Sequence, residues 1–138
     1  MRLLGRFLGS QRSKAYAEGL ALLEDGRFIE AIEKLRVAAD GKADSLSGSL
    51  ASFHFRHALV SEGKRLLRLG TPAAALEPLE EAVRRWDRYP DLHCFCGTAS
   101  GLDGNWEAAL LSAKAALRLN PDYPEARLLE VLSRINLG

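Results

Sequence analysis

The side chains best suited to chemistry in this sequence stand together in His93-Cys94-Phe95-Cys96. Thiolate and imidazole are the usual zinc donors, yet a structural zinc site takes about four ligands of matched geometry, and the chain holds no cysteine beyond these two. Residues two apart on a helix also diverge. Both cysteines therefore read as structural, Cys96 in a hairpin interface and Cys94 nearer a binding surface. His54 and His57 are three apart and could face one ion, but no Asp or Glu close to them on the same helix supplies a third ligand. They read as a surface or partner-facing pair. No serine lies in a nucleophile elbow, neither cysteine has an identifiable base with an orienting partner, and no glycine-rich phosphate loop is present. The expectation is a protein that catalyses nothing and holds neither metal nor cofactor.

What positions these residues follows from a chain of 138 residues, 47% hydrophobic and 27% charged, which is enough for one core or one short stack of repeats. The formal net charge of +1 excludes the basic surplus of a dedicated nucleic-acid binder. The charge is uneven, however. Arg2, Arg6, Arg12 and Lys14 lie in a segment, residues 1–14, that contains no acid, so an anionic partner would be sought there first. No apolar run is long enough to span a bilayer, and Arg2, Gly5 and Arg6 interrupt the opening stretch where a secretory signal would be apolar. A cytoplasmic protein is expected. Two cysteines so close together cannot staple distant elements, which agrees. The arginine bias, 14 against 5 lysines, is common in GC-rich bacterial genomes and is a weak pointer to a bacterial source.

The organising feature is an internal repeat. Gly26, Gly70 and Gly104 each separate two stretches of helical pattern. Seven residues before them stand Gly19, Gly63 and Gly97; five after, Ala31, Ala75 and Ala109; twelve after, Ala38, Ala82 and Ala116. Larger apolar residues recur six and nine positions on, as Ile32, Leu76 and Leu110, then Leu35, Leu79 and Ala113. Glycine and alanine let two antiparallel helices approach closely while larger neighbours fill the flanking grooves. Each unit is thus expected to be a helical hairpin, over about 12–40, 49–87 and 90–120.

The turn glycines are 34 residues apart in the second interval and 44 in the first. The ten extra residues are expected as a loop at Gly41-Lys42-Ala43-Asp44-Ser45-Leu46-Ser47-Gly48-Ser49, rich in helix breakers and cap residues. After it, Phe53, His57, Val60, Lys64 and Leu67 at three- and four-residue steps predict a helix of roughly 18–21 residues from about Leu50 to Leu69. A last helix is expected over about 124–137, with Leu128, Val131, Leu132 and Ile135 on one stripe and Glu130, Ser133 and Arg134 on a polar outer face. It either caps the stack or opens a further hairpin whose turn would fall at Gly138. Residues 1–11 are expected as a separate segment. Leu3, Leu4, Phe7 and Leu8 between arginines suit a short basic amphipathic helix, although a disordered or self-packing terminus is the preferred reading.

The mid-helix glycine, the turn glycine, an aromatic two residues on at Phe28 and Trp106, and the two alanines resemble the tetratricopeptide repeat. Pro72 replaces the aromatic in the middle unit. The proline that closes the family's unit is present only as Pro121, with Ala43 and Asp87 at the other two places. The resemblance spans residues 12–138 and implies an all-α protein of about seven helices, stacked as hairpins into a right-handed superhelix. It also implies a concave surface, lined by Tyr16, Leu20 and Leu23, then Val60, Lys64, Leu67 and Arg68, then Cys94, Phe95 and Thr98, that holds a peptide or partner helix. Such a lining favours hydrophobic anchors, and Lys64 with Arg68 one turn on could pair with an acidic ligand residue. The carboxylate clamp by which some members grip chaperone tails is absent, because Tyr16 and Leu20 stand where its lysine and asparagine would be. Protein or peptide partners are expected, with a self-assembling homo-oligomeric scaffold, or a docking module of a larger protein, as alternatives.

Overall fold

A computed structural model of the protein describes residues 2–40 and 46–138. These form seven α-helices and, among the described residues, no strand: α1 (Arg2–Glu24), α2 (Phe28–Ala39), α3 (Leu46–Arg68), α4 (Pro72–Arg85), α5 (Pro90–Leu102), α6 (Trp106–Leu119) and α7 (Pro124–Leu137). The chain divides within α3 into two compact units, one ending at Ser61 and one running from Glu62 to Gly138.

Helices α1, α3 and α5 end in the same way. Gly26, Gly70 and Gly104 adopt φ of 72°, 76° and 93°, a left-handed conformation that costs glycine nothing and other residues a good deal. The amide after each glycine reaches five residues back, Arg27 N to Leu22 O at 2.9 Å, Thr71 N to Leu66 O at 3.0 Å and Asn105 N to Ser100 O at 2.9 Å. Each glycine amide reaches three back, to the carbonyls of Leu23, Leu67 and Gly101. This is the Schellman arrangement, which satisfies carbonyls the helix end leaves open and turns the chain back on itself. The following helix starts at once. Pro72 takes the first position of α4, where no amide donor is needed, and the side chain of Asn105 accepts from Ala108 N at 3.0 Å at the start of α6.

In the first unit α1 packs on α2. A Cβ at Gly19 would lie 2.6 Å from Leu35 Cγ, so glycine there is what lets the fully buried Leu35 seat against α1. Ala15, Ala38 and Ala51 bring α1, α2 and α3 together, and the Arg36 guanidinium lies 5.6 Å from the ring centroid of the buried Phe55. Lys34 bonds Glu18 at 2.8 Å across α1 and α2, and this contact holds the Glu18 carboxyl below its usual range.

The second unit repeats the device. A Cβ at Gly63 would lie 2.5 Å from Leu79, and Leu79 joins Ala75, Cys96 and Ala99 in a core between α4 and α5. Helix α7 closes on α5 and α6 through Ala126, Leu129 and Ser133. Glu62 is buried but paired, accepting from Arg65 Nε at 2.8 Å and from its second nitrogen at 2.7 Å.

Four expectations change. There is no break at residue 11, since α1 is one helix from Arg2 to Glu24, and its first turns are neither irregular nor packed away: Leu3, Leu4, Phe7 and Leu8 are exposed. Of the expected loop over 41–49, residues 41–45 lie outside the described residues, whereas Leu46 to Ser49 already belong to α3, which is 23 residues long. Gly48 and Ala51 are buried, and this packing of small residues outweighs a propensity deficit of about 1 kcal/mol for glycine. The last helix is rotated from its expected setting, because its apolar stripe faces outward while Ser133 is fully buried, its hydroxyl donating to Leu129 O at 2.7 Å. Cys94, expected at the binding surface, is only 6% exposed.

Candidate partner-binding faces

In the second unit, α3 and α5 carry five of the expected binding residues, Lys64, Leu67, Arg68, Phe95 and Thr98. Leu67 and Phe95 pack half-buried against the Ala75, Leu79, Cys96 and Ala99 core, which fixes their outer surfaces. The Lys64 ammonium stands 4.5 Å from the centroid of the Phe95 ring, where the negative face of the ring attracts a cation. Arg68 is exposed one turn beyond Lys64. Thr98, one turn beyond Phe95, is also exposed, its hydroxyl donating to Cys94 O at 2.8 Å. The result is a surface with an apolar floor and two cations at its rim. It suits a ligand that combines a hydrophobic anchor with an acidic group.

The first unit holds Tyr16, Leu20, Leu23 and Val60 half-buried. Tyr16 is in contact with its own chain, its ring 5.8 Å from that of His54, which meets Phe53 edge-on at 5.2 Å. Arg56 lies 5.7 Å from the Phe53 centroid. Phe53 and His54 thus belong beside Tyr16, a grouping that the sequence did not reveal because Tyr16 and His54 lie 38 positions apart and follow no local spacing.

The His93–Cys96 stretch is dispersed by its helix. His93 Nε2 contacts Asp87 O at 2.7 Å. Cys94 lies with Ala116 and Ala126, covered by Leu117 and Tyr123, and so faces α6 and α7 and not a ligand. Cys96 belongs to the α4–α5 core. Burial pushes both thiols up to about 11, with Glu125 and Asp91 adding to the effect at Cys94 and Glu80 at Cys96. They are neutral thiols at physiological pH, the opposite of what nucleophilic attack or metal ligation asks. Among the described residues no three His, Cys, Asp or Glu side chains converge as a metal site.

No family model matches the chain, and no curated protein matches it. Among solved structures, 94% of the chain is similar to 70% of a chain in the cryo-EM structure of the Sec complex from S. cerevisiae, a Sec61 pore ring and Sec63 FN3 double mutant in the class without Sec62, with a TM-score of 0.60 and 19% identity. At that identity the likeness is one of fold alone. No helix among the described residues is long and apolar enough to cross a membrane.

Proposed function

We propose that this chain is a protein-interaction scaffold of the tetratricopeptide-repeat kind, which binds a peptide or partner helix on the exposed faces of its first helices and performs no catalysis. Three hairpins with the same glycine-ended first helix and the same Gly and Ala contact positions support the repeat reading. The observation that carries the binding reading is the pairing of Lys64 with Phe95 beside Leu67, Arg68 and Thr98 on α3 and α5. A floor of that kind contributes about 25 cal/mol for each Å² of apolar ligand surface buried, before ordering costs.

The test is affinity capture from the native host with the wild-type chain, a Lys64→Glu, Arg68→Glu variant and a control substituted at Leu111, which is 67% exposed on α6. Both cations are exposed, so the variant keeps its fold, as circular dichroism would verify. Each charge-assisted hydrogen bond lost weakens an acidic ligand by about 1.5–3 kcal/mol. Proteins that disappear with the double variant and stay with the Leu111→Glu control mark the face as the binding site. An identical set from all three chains would sink the reading.

The stripe of α7 favours a second reading, self-assembly, because Leu128, Val131, Leu132 and Ile135 are 60%, 52%, 41% and 69% exposed. Light scattering that finds a monomer at high concentration rules it out.

A further inference from the structure

Among the described residues, none in the first turns of α1 is buried. Helix α1 has 23 residues and its antiparallel neighbour α2 has 12, so α2 runs back along α1 only to about residue 13. The burial pattern agrees, since Ala15 is the first buried residue of α1 among those described. Residues 2–12 therefore project about 16 Å past the end of α2, at 1.5 Å per residue.

That projection is two-sided. Leu3, Leu4, Phe7 and Leu8 share one face at helical spacing and are 83%, 65%, 60% and 45% exposed. Arg2 and Arg6 fall on the opposite face. Arg12 and Lys14 follow, and the first acid is Glu18, already bonded to Lys34. We propose that this projecting half of α1 docks the protein onto an anionic lipid surface, its leucines and phenylalanine sunk to the acyl boundary and its basic residues among the phosphates. The charge complementarity selects this occupant. An acid-free basic helical segment with an apolar face matches the layered chemistry of a membrane interface, with negative headgroups above hydrocarbon. A nucleic acid would engage the arginines but leave four apolar side chains in water. A helix of this kind lies in the interface and does not cross it. The protein would thus hold its partners at a membrane surface, although the lipid contact does not depend on the partner-binding reading.

The experiment is flotation of the full chain with vesicles of phosphatidylcholine, and with vesicles that also carry phosphatidylserine. The chain is expected to float with the phosphatidylserine vesicles, weakly with the neutral ones, and less as salt is added. Leu4→Glu with Phe7→Glu abolishes flotation, and these side chains are exposed, so the variant stays folded. Arg2→Gln with Arg6→Gln lowers the partition coefficient more than tenfold, at roughly fivefold per basic residue near the surface. The Leu111→Glu control floats as the wild type does. Failure to float overturns the proposal, as does equal binding to both vesicles. Flotation that the arginine substitutions reduce but Leu4→Glu with Phe7→Glu leaves untouched overturns it in favour of a purely electrostatic contact. Self-association by light scattering that Leu4→Glu with Phe7→Glu disperses, in a chain that never floats, assigns the face to a second copy instead.

Discussion

Helices α5 and α7 start alike and end alike, yet one of them shows a face that the other buries. Both begin with proline, and both lead to a glycine of positive φ, Gly104 at 93° and Gly138 at 85°. Ten, seven and three residues before that glycine α5 has Cys94, Gly97 and Gly101, all buried, whereas α7 has Leu128, Val131 and Ile135, all more than half exposed. Twelve and five residues before it, both helices are buried, α5 at Leu92 and Ala99 and α7 at Ala126 and Ser133. Each helix therefore has one face for the hairpin that precedes it. On α5 a second face receives its own hairpin partner α6, and that face is built of small residues. On α7 the same register positions hold branched side chains, and no described helix covers them. At these register positions α5 packs closely through small residues, whereas the larger side chains of α7 stay exposed.

The comparison breaks most severely when the residue type of one helix is moved into the other. A Cβ at Gly97 would lie 2.7 Å from Ser112 Cβ, 2.7 Å from a Leu129 methyl and 3.3 Å from the carbonyl of Ala109. Gly97→Val, which gives α5 the residue of α7, should cost about 3 kcal/mol in urea denaturation, the upper end for overpacking, because Ser112 Cβ is bonded directly to the α6 backbone and cannot step aside. A loss below about 1 kcal/mol would mean that α5 and α6 are not held by close approach.

A smaller effect concerns Cys94, the α5 counterpart of the exposed Leu128. Its thiol is pushed from 9.0 up to about 11 by burial, so between those values the native state keeps a proton that the unfolded chain has lost. Stability is fully present below about pH 9 and falls as pH rises toward 11, by about 2 kcal/mol from this group. Denaturation curves across that range should decline less steeply in Cys94→Ala. An identical alkaline decline in the variant would place the titrating group elsewhere.

The same contrast explains which parts of the structure were legible beforehand. The turn glycines and the Gly and Ala positions were readable from spacing alone, because close helix approach restricts residue type at a few fixed places. Leu67 and Phe95 came from the resemblance to the tetratricopeptide repeat and not from spacing. The start of α3 was not, since Ser47-Gly48-Ser49 has the local chemistry of a loop and only the burial of Gly48 and Ala51 shows why it is helical. The facing of α7 was misread by putting large apolar residues inside, when Ala126 and Ser133 are the ones small enough to meet the preceding hairpin. The Tyr16–His54 contact was invisible because it depends on how α1 meets α3 and not on any local pattern.

The weakest expected effect is also the sharpest check on the outward face of α7. Leu132 and Ile135 are 41% and 69% exposed, so Leu132→Glu with Ile135→Lys exchanges solvated apolar surface for two opposite charges one turn apart. Helix propensity hardly changes, the new pair adds a few tenths of a kcal/mol, and the stability of the monomer should move by less than about 0.5 kcal/mol. Gly101 lies in the register of Ile135 on α5, and there a Cβ would lie 2.5 Å from the Trp106 ring. If the α7 double variant instead lost 2 kcal/mol or more, at the scale of large core substitutions, the stripe would be covered in solution. A concentration dependence of the wild-type midpoint, lost in the variant, would then identify a second copy as the cover. An unchanged midpoint at every concentration would leave α7 with one satisfied face and one that no second copy covers, where Val131 stands in the register of Gly97.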